Sequence, residues 1–194
     1  MGKRLIVSIM NWIWRLSWTN ALWLLFSVPL ITIIPSTFAM YSVINKLVKD
    51  DEDADILRLF VKEFKRYLKK SFPLGITLVL LSVFFYVDLL ILKEQTESFM
   101  LILRYAILVL VILFIPIAFY SIPLFVEYEF SWFKALPLAF ILAIKRPFNI
   151  LLVTCGILGV LLLLMFSTGI GVLFFGSLCA LFTTKGALSG LQKE

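Results

Sequence analysis

Histidine is absent from this 194-residue chain, and cysteine occurs only at Cys155 and Cys179. Without histidine the commonest general base and the commonest metal ligand are missing. Both cysteines fall in apolar segments with no second thiol or imidazole nearby, so neither a disulfide framework nor a zinc site is expected, and buried structural thiols are. No G-x-S-x-G and no carboxylate cluster inside the apolar stretches speaks for a membrane enzyme. No catalytic, cofactor-binding or metal residue is therefore assigned. Small-residue cleavage signals are lacking too: none closes the apolar run from Met1 to Trp18. Ile6 stands where N-myristoylation wants Ser or Thr. Charge itself is missing from Thr19 to Tyr41 and from Phe148 to Thr184.

What is present is apolar: 62% of the residues are hydrophobic and the mean hydropathy is +1.05. A soluble domain is about half apolar, so the composition predicts a polytopic membrane protein. The expected fold is all-α, a single membrane domain over residues 1–194 with about five transmembrane helices and interfacial amphipathic helices. The net charge of +6 reads as membrane orientation; no nucleic acid partner is expected.

The stretch TNALWLLFSVPLITIIPSTFAMY, residues 19–41, is long enough to cross a ~30 Å hydrocarbon layer at ~1.5 Å per residue. Pro29 and Pro35 predict kinks in it, with Ser27, Thr32, Ser36 and Thr37 at hand to satisfy the freed carbonyls. Before it, residues 3–18 cluster Trp12, Trp14 and Trp18 and read as an interfacial helix. After it, Asp50, Asp51, Glu52, Asp53 and Asp55 precede an amphipathic helix over 56–70. Leu57, Phe60, Phe64 and Leu68 form its apolar stripe, and Arg58, Lys62, Lys65, Arg66, Lys69 and Lys70 its basic face. Acids ahead of the first turn and bases in the last suit the helix dipole. Anionic lipid would attract that basic face; topology anchoring and protein docking are the two roles open to it.

Further spans are expected over 72–92, 99–125, 148–166 and 170–187, with kinks at Pro116 and Pro123 in the third. An interfacial segment over 130–146 closes at Lys145-Arg146. Ser167-Thr168-Gly169 marks the turn between the last two spans. In the fifth, Gly176 with Ala180 and Gly186 with Gly190 carry small-residue spacing for close helix packing.

Five crossings place Lys46, Lys49, the six bases of 58–70, Lys134, Lys145, Arg146, Lys185 and Lys193 on one side. Lys3, Arg4, Arg15, Lys93 and Arg104 fall on the other. That asymmetry predicts a cytoplasmic C-terminus and an external N-terminus in a cell membrane. The N-terminal bases dissent: a first span folded back at Pro29 or Pro35 would bring the N-terminus to the cytoplasmic side as well. Asp88 and Arg104 are the charges set inside the second and third spans. They are expected to pair at similar depth, with Lys93 competing for Asp88.

The run NALWLLFSVPLITIIP resembles the N-x-L-W-L-L-x-x-x-P-x-x-T-x-x-P stretch of the YesL-like family of bacterial membrane proteins, through Asn20, Leu22, Trp23, Leu24, Pro29, Thr32 and Pro35. Phe60, Phe64 and Tyr67 echo its amphipathic basic helix. Ala135, Leu136, Leu138, Ala139 and Pro147 are similar to its later A-L-x-L-A-x-x-x-P segment. Ile34 stands where the family usually has Gly before its second proline. The resemblance implies an uncharacterised family whose members are commonly encoded beside carbohydrate-uptake ABC transporters. It thus implies a sugar-utilisation context and not a mechanism. Together with the small-residue face of the fifth span and the lack of catalytic residues, it leads to the expectation of a non-enzymatic accessory, assembly or regulatory partner of such a transporter, embedded in the lipid bilayer. A small membrane transporter or channel is the alternative: the broken helix at Pro29 and Pro35 resembles what transporters use, but no duplicated half mirrors it and intramembrane polar groups are few, Asp88, Arg104, Asn149 and scattered hydroxyls.

Overall fold

In the computed structural model, residues 2–49, 55–94, 97–128, 132–145, 147–166 and 168–191 are described. Among them every regular element is helical. In chain order these are α1 (Gly2–Phe26), a short 3-10 turn (Leu30–Thr32), α2 (Ile33–Lys49), α3 (Ile56–Lys70), α4 (Phe72–Lys93), α5 (Ser98–Tyr128), α6 (Trp132–Lys145), α7 (Pro147–Phe166) and α8 (Thr168–Leu191). The expected all-α bundle is what forms.

The first long apolar stretch does not cross as one helix. α1 stops at Phe26, three residues before Pro29, whose ring bars the preceding residue from helical backbone. Pro29 then caps the 3-10 turn at φ −75° and ψ 116°. Pro35 follows in the first turn of α2, where a missing N–H costs nothing. The orphan carbonyls at the end of α1 are taken up by side chains: Thr32 Oγ1 donates to Phe26 O at 2.6 Å and Ser36 Oγ to Trp23 O at 3.1 Å. Trp23 Nε1 donates to Thr37 Oγ1 at 3.1 Å. In one continuous helix those two residues would stand ~21 Å apart. Asn20 and Met40 likewise meet at the same point, Gly176 of α8. Pairing of 20 with 40 and 23 with 37 makes α1 and α2 an antiparallel hairpin. The single kinked crossing expected over 19–41 is thereby corrected: Pro29 lies in a turn and Pro35 at a helix start, and neither kinks a span.

Two further hairpins complete the bundle. α4 and α5 pair Phe85 with Phe114 at 5.3 Å between ring centroids, and Tyr67, just before α4, meets Phe125 at 6.4 Å. Pro116 and Pro123 sit inside α5, which continues through both. In α7, Gly156 receives the Phe182 ring of α8. The C-terminal ends of α5 and α8 come together where Tyr120 Oη donates to Gly186 O at 2.7 Å, and Lys185 lies 5.8 Å from the Trp12 ring of α1. All three hairpins therefore open toward one end, the base, and the α4–α5 connection marks the opposite end, the tip. Ser167 of the expected turn and Arg146 lie outside the described residues.

α2 is the hub. Phe38, Ala39, Met40, Tyr41, Val43, Ile44 and Leu47 are all buried, against α1, α3, α5 and α8. By contrast α4 buries only Leu74, Gly75 and Leu92, and α5 buries nothing before Pro116. An apolar surface of that extent suits lipid, not water. α4, α5 and the Leu30–Lys49 stretch are each long and apolar enough to cross a membrane. α6 turns Ala135, Ala139 and Leu142 inward and leaves Phe133, Phe140, Ile141 and Ile144 exposed.

Candidate functional site

Four polar residues recur on the last turns of α2 at Ser42, Asn45, Lys46 and Lys49, forming one helical stripe. Each side of that stripe meets one carboxylate. From α3, Glu63 accepts from Ser42 Oγ at 2.8 Å, from Lys46 Nζ at 2.6 Å and from Arg66 at 3.4 Å. From the end of α5, Glu127 accepts from Asn45 Nδ2 at 2.8 Å and from Lys49 Nζ at 2.6 Å. The arrangement clamps α3 and α5 side by side against adjacent faces of α2 at the base of the bundle.

Glu63 is the deeper of the two carboxylates, with 0% of its side chain exposed against 22% for Glu127. Burial alone would raise its pKa. The hydrogen bonds from Lys46 and Ser42, with the charges of Lys46 and Arg66, outweigh that and hold the carboxyl below the usual range. Burial raises the neighbouring Tyr67 phenol. Asn45 Oδ1 has no hydrogen-bond partner among the described residues.

Sequence periodicity misplaced the inner face of α3. The buried residues are Ile56, Phe60, Glu63 and Tyr67, while Leu57 and Leu68 are exposed. The apolar stripe drawn through Leu57, Phe60, Phe64 and Leu68 is rotated from the true one because Glu63 occupies a core position that hydropathy assigns to solvent. Its signal was available: it is the one acid within the helix, three residues after Phe60 and four before Tyr67.

The basic face is only partly as expected. Arg58, Lys62 and Lys65 line a shallow groove of about 510 Å³ with Leu57 and Val61, and Arg58 pairs with the capping Asp55 at 3.1 Å. Lys69 and Lys70 are exposed. Arg66 turns toward Glu63 and lies over the Tyr67 ring. Residues 50–53 of the acidic run lie outside the described residues. α3 passes into α4 through Ser71 alone, whose N–H donates to Tyr67 O and whose carbonyl accepts from Gly75 N, so the two helices share one hydrogen-bond ladder.

Asp88 and Arg104 are not brought together. Among the described residues no ion pair involves Asp88, Lys93 or Arg104. Arg104 instead lines a cleft with Lys93, Tyr86, Leu89, Leu90 and Leu108. At 3.6 residues per turn Asp88 lies about 200° round α4 from Leu90, facing away from it. The expected pair fails on that angle: similar depth does not give a shared face. No cluster of three His, Cys, Asp or Glu that could hold a metal occurs among the described residues, and Cys155 and Cys179 are free thiols.

Residues 16–89, from α1 to α4, match the family described as "Protein of unknown function, DUF624". Three Bacillus subtilis (strain 168) proteins are similar along the chain. "Uncharacterized protein YesL" is 29% identical over 90% of this chain and 84% of its own length. "Uncharacterized protein YteU" is 34% identical over 70% of this chain, which spans only 61% of that protein. "Uncharacterized protein YesV" is 29% identical over 92% of this chain and 88% of its own length. No solved structure matches significantly.

Proposed function

The chain belongs to the YesL-like family, and from that premise we propose that it is a non-enzymatic accessory or assembly partner of a carbohydrate-uptake ABC transporter in the bacterial cell membrane. The carbohydrate context rests on the family resemblance. The observation that carries the docking role is the clamp: buried Glu63 fixes α3 against α2 and keeps Arg58, Lys62 and Lys65 facing outward on a rigid element. A partner's acidic cytoplasmic segment suits that surface in charge.

Threading follows from the three hairpins. With all of them opening to the base, Lys93 and Arg104 are the only described cations at the tip, so the positive-inside asymmetry sharpens. The base, with the start of α1 and the end of α8, is cytoplasmic and the tip external. The α1–α2 hairpin, which returns α1 to the base, favours the folded-back first span with a cytoplasmic N-terminus over the external N-terminus of five crossings.

Purification in mild detergent from native membranes tests the partnership. Permease subunits should co-purify with the parent chain and be lost from Arg58→Gln/Lys62→Gln/Lys65→Gln, which leaves the clamp intact. Isolation of the chain without transporter subunits refutes the reading. The re-entrant α1–α2 hairpin favours the alternative of a small transporter or channel; solute flux in reconstituted vesicles would establish that instead.

A further inference from the structure

The cleft at the tip holds two cations and no anion. Lys93 ends α4, and Arg104 lies six residues into α5, ~9 Å along the axis from Ser98. Both line the same cleft of about 280 Å³, whose remaining walls are Tyr86, Leu89, Leu90 and Leu108. Two positive side chains on an apolar surface repel each other and pay for desolvation unless an anion joins them. Asp88 faces away, and neither Glu94 nor Glu97 of the connection forms an ion pair with them.

The geometry points to an anionic phospholipid held here, its phosphate between Arg104 and Lys93 and an acyl chain along Leu89, Leu90 and Leu108. Three features select a lipid over a soluble anion. The cleft is lined by aliphatic side chains apart from Tyr86 and the two cations. It opens on an exposed apolar surface, with Tyr86, Leu90, Ile91 and Tyr105 all outward. The cleft is open-sided, so a headgroup held in it can continue into a tail outside. Arg104 supplies a planar fork for phosphate oxygens, and its long stem lets the charge rise from apolar depth to headgroup level. This site lies at the end of the α4–α5 hairpin remote from α3 and does not depend on the proposed partnership.

The test uses the full-length protein in vesicles of phosphatidylcholine containing phosphatidylglycerol, some of it with a photoactivatable acyl chain. Cross-links should map to peptides containing Tyr86–Lys93 and Arg104–Leu108. Arg104→Gln and Lys93→Gln should each lower them by about tenfold, the weight of one charge-assisted contact. Leu108→Trp, which keeps both charges and fills the cleft, should lower them too. Thermal unfolding of each variant separates loss of lipid from loss of fold. Soluble glycerol phosphate should not compete. Equal cross-linking in the Arg104→Gln/Lys93→Gln double variant, cross-links confined to α3, or full competition by glycerol phosphate would each overturn the assignment.

Discussion

Removing either half of the Glu63–Lys46 contact should destabilise the protein, and unequally. Glu63 accepts three hydrogen bonds from full burial, whereas Lys46 is 38% exposed. In Glu63→Gln the amide keeps the shape and can still accept from Ser42, and the released Lys46 and Arg66 can turn to water. The full penalty for a broken buried pair, ~3–5 kcal/mol, is therefore not reached, and about 2 kcal/mol is expected. Lys46→Met leaves the carboxylate buried with only Ser42 and the longer Arg66 contact, so about 3 kcal/mol is expected. The double variant should cost less than the sum of the two by about 1–2 kcal/mol. The measurement is equilibrium unfolding in detergent with increasing sodium dodecyl sulfate, followed by tryptophan fluorescence. The pH dependence adds a second readout. The folded Glu63 carboxyl has a lowered pKa, so its contribution is present above the unfolded carboxylate value and is lost as pH falls toward the folded one. Acidification from pH 6 should weaken the parent more than Glu63→Gln. Additive costs, or a Lys46→Met variant no less stable than Glu63→Gln, would refute the clamp.

Gly176→Ala should destabilise by about 1–3 kcal/mol, since the added methyl would sit 2.9 Å from Asn20 Oδ1 and 3.2 Å from Met40 Sδ; thermal unfolding measures it. Cysteines at Glu94 or Glu97 should react with an impermeant reagent on intact cells, while a reporter fused at either terminus should be cytoplasmic; an N-terminal reporter found outside would reject the re-entrant hairpin. Asp88→Asn should change stability by less than about 0.5 kcal/mol, and combined with Arg104→Gln the effects should add, because the two side chains do not meet. A coupling above that level in the double-mutant cycle would restore the pair.

Much of the architecture was legible in residue order. Proline at 29 and 35 located the break in the first apolar stretch. The hydroxyls flanking it proved to be ligands for carbonyls, Thr32 and Ser36 across the break and Thr37 to Ile33 O within α2; Ser27 Oγ finds no partner. Gly176 and Ala180 marked the close-packed face of α8, both now buried. Ile34, which replaces the glycine usual in the family, packs on Gly75 of α4, where any Cβ would collide with it. The small residue required at that crossing sits on the other helix.

Hydropathy, charge and proline placement act over a helical turn or two, so the sequence by itself determined that the chain is helical, membrane-embedded and basic at one end, but not that the stretch from 2 to 49 divides into two helices around residues 27–32. Tertiary structure decided what lies beyond that range. Whether the chain after Pro29 continues or returns depends on Asn20 and Met40 meeting at Gly176, more than 130 residues further on. Which face of α3 turns inward depends on Ser42 and Lys46 being present to neutralise Glu63, and an isolated carboxylate reads as solvent-facing in any local pattern. Asp88 and Arg104 share a depth along antiparallel helices, but contact also requires a shared angle, and only the packing of α4 against α5 sets that.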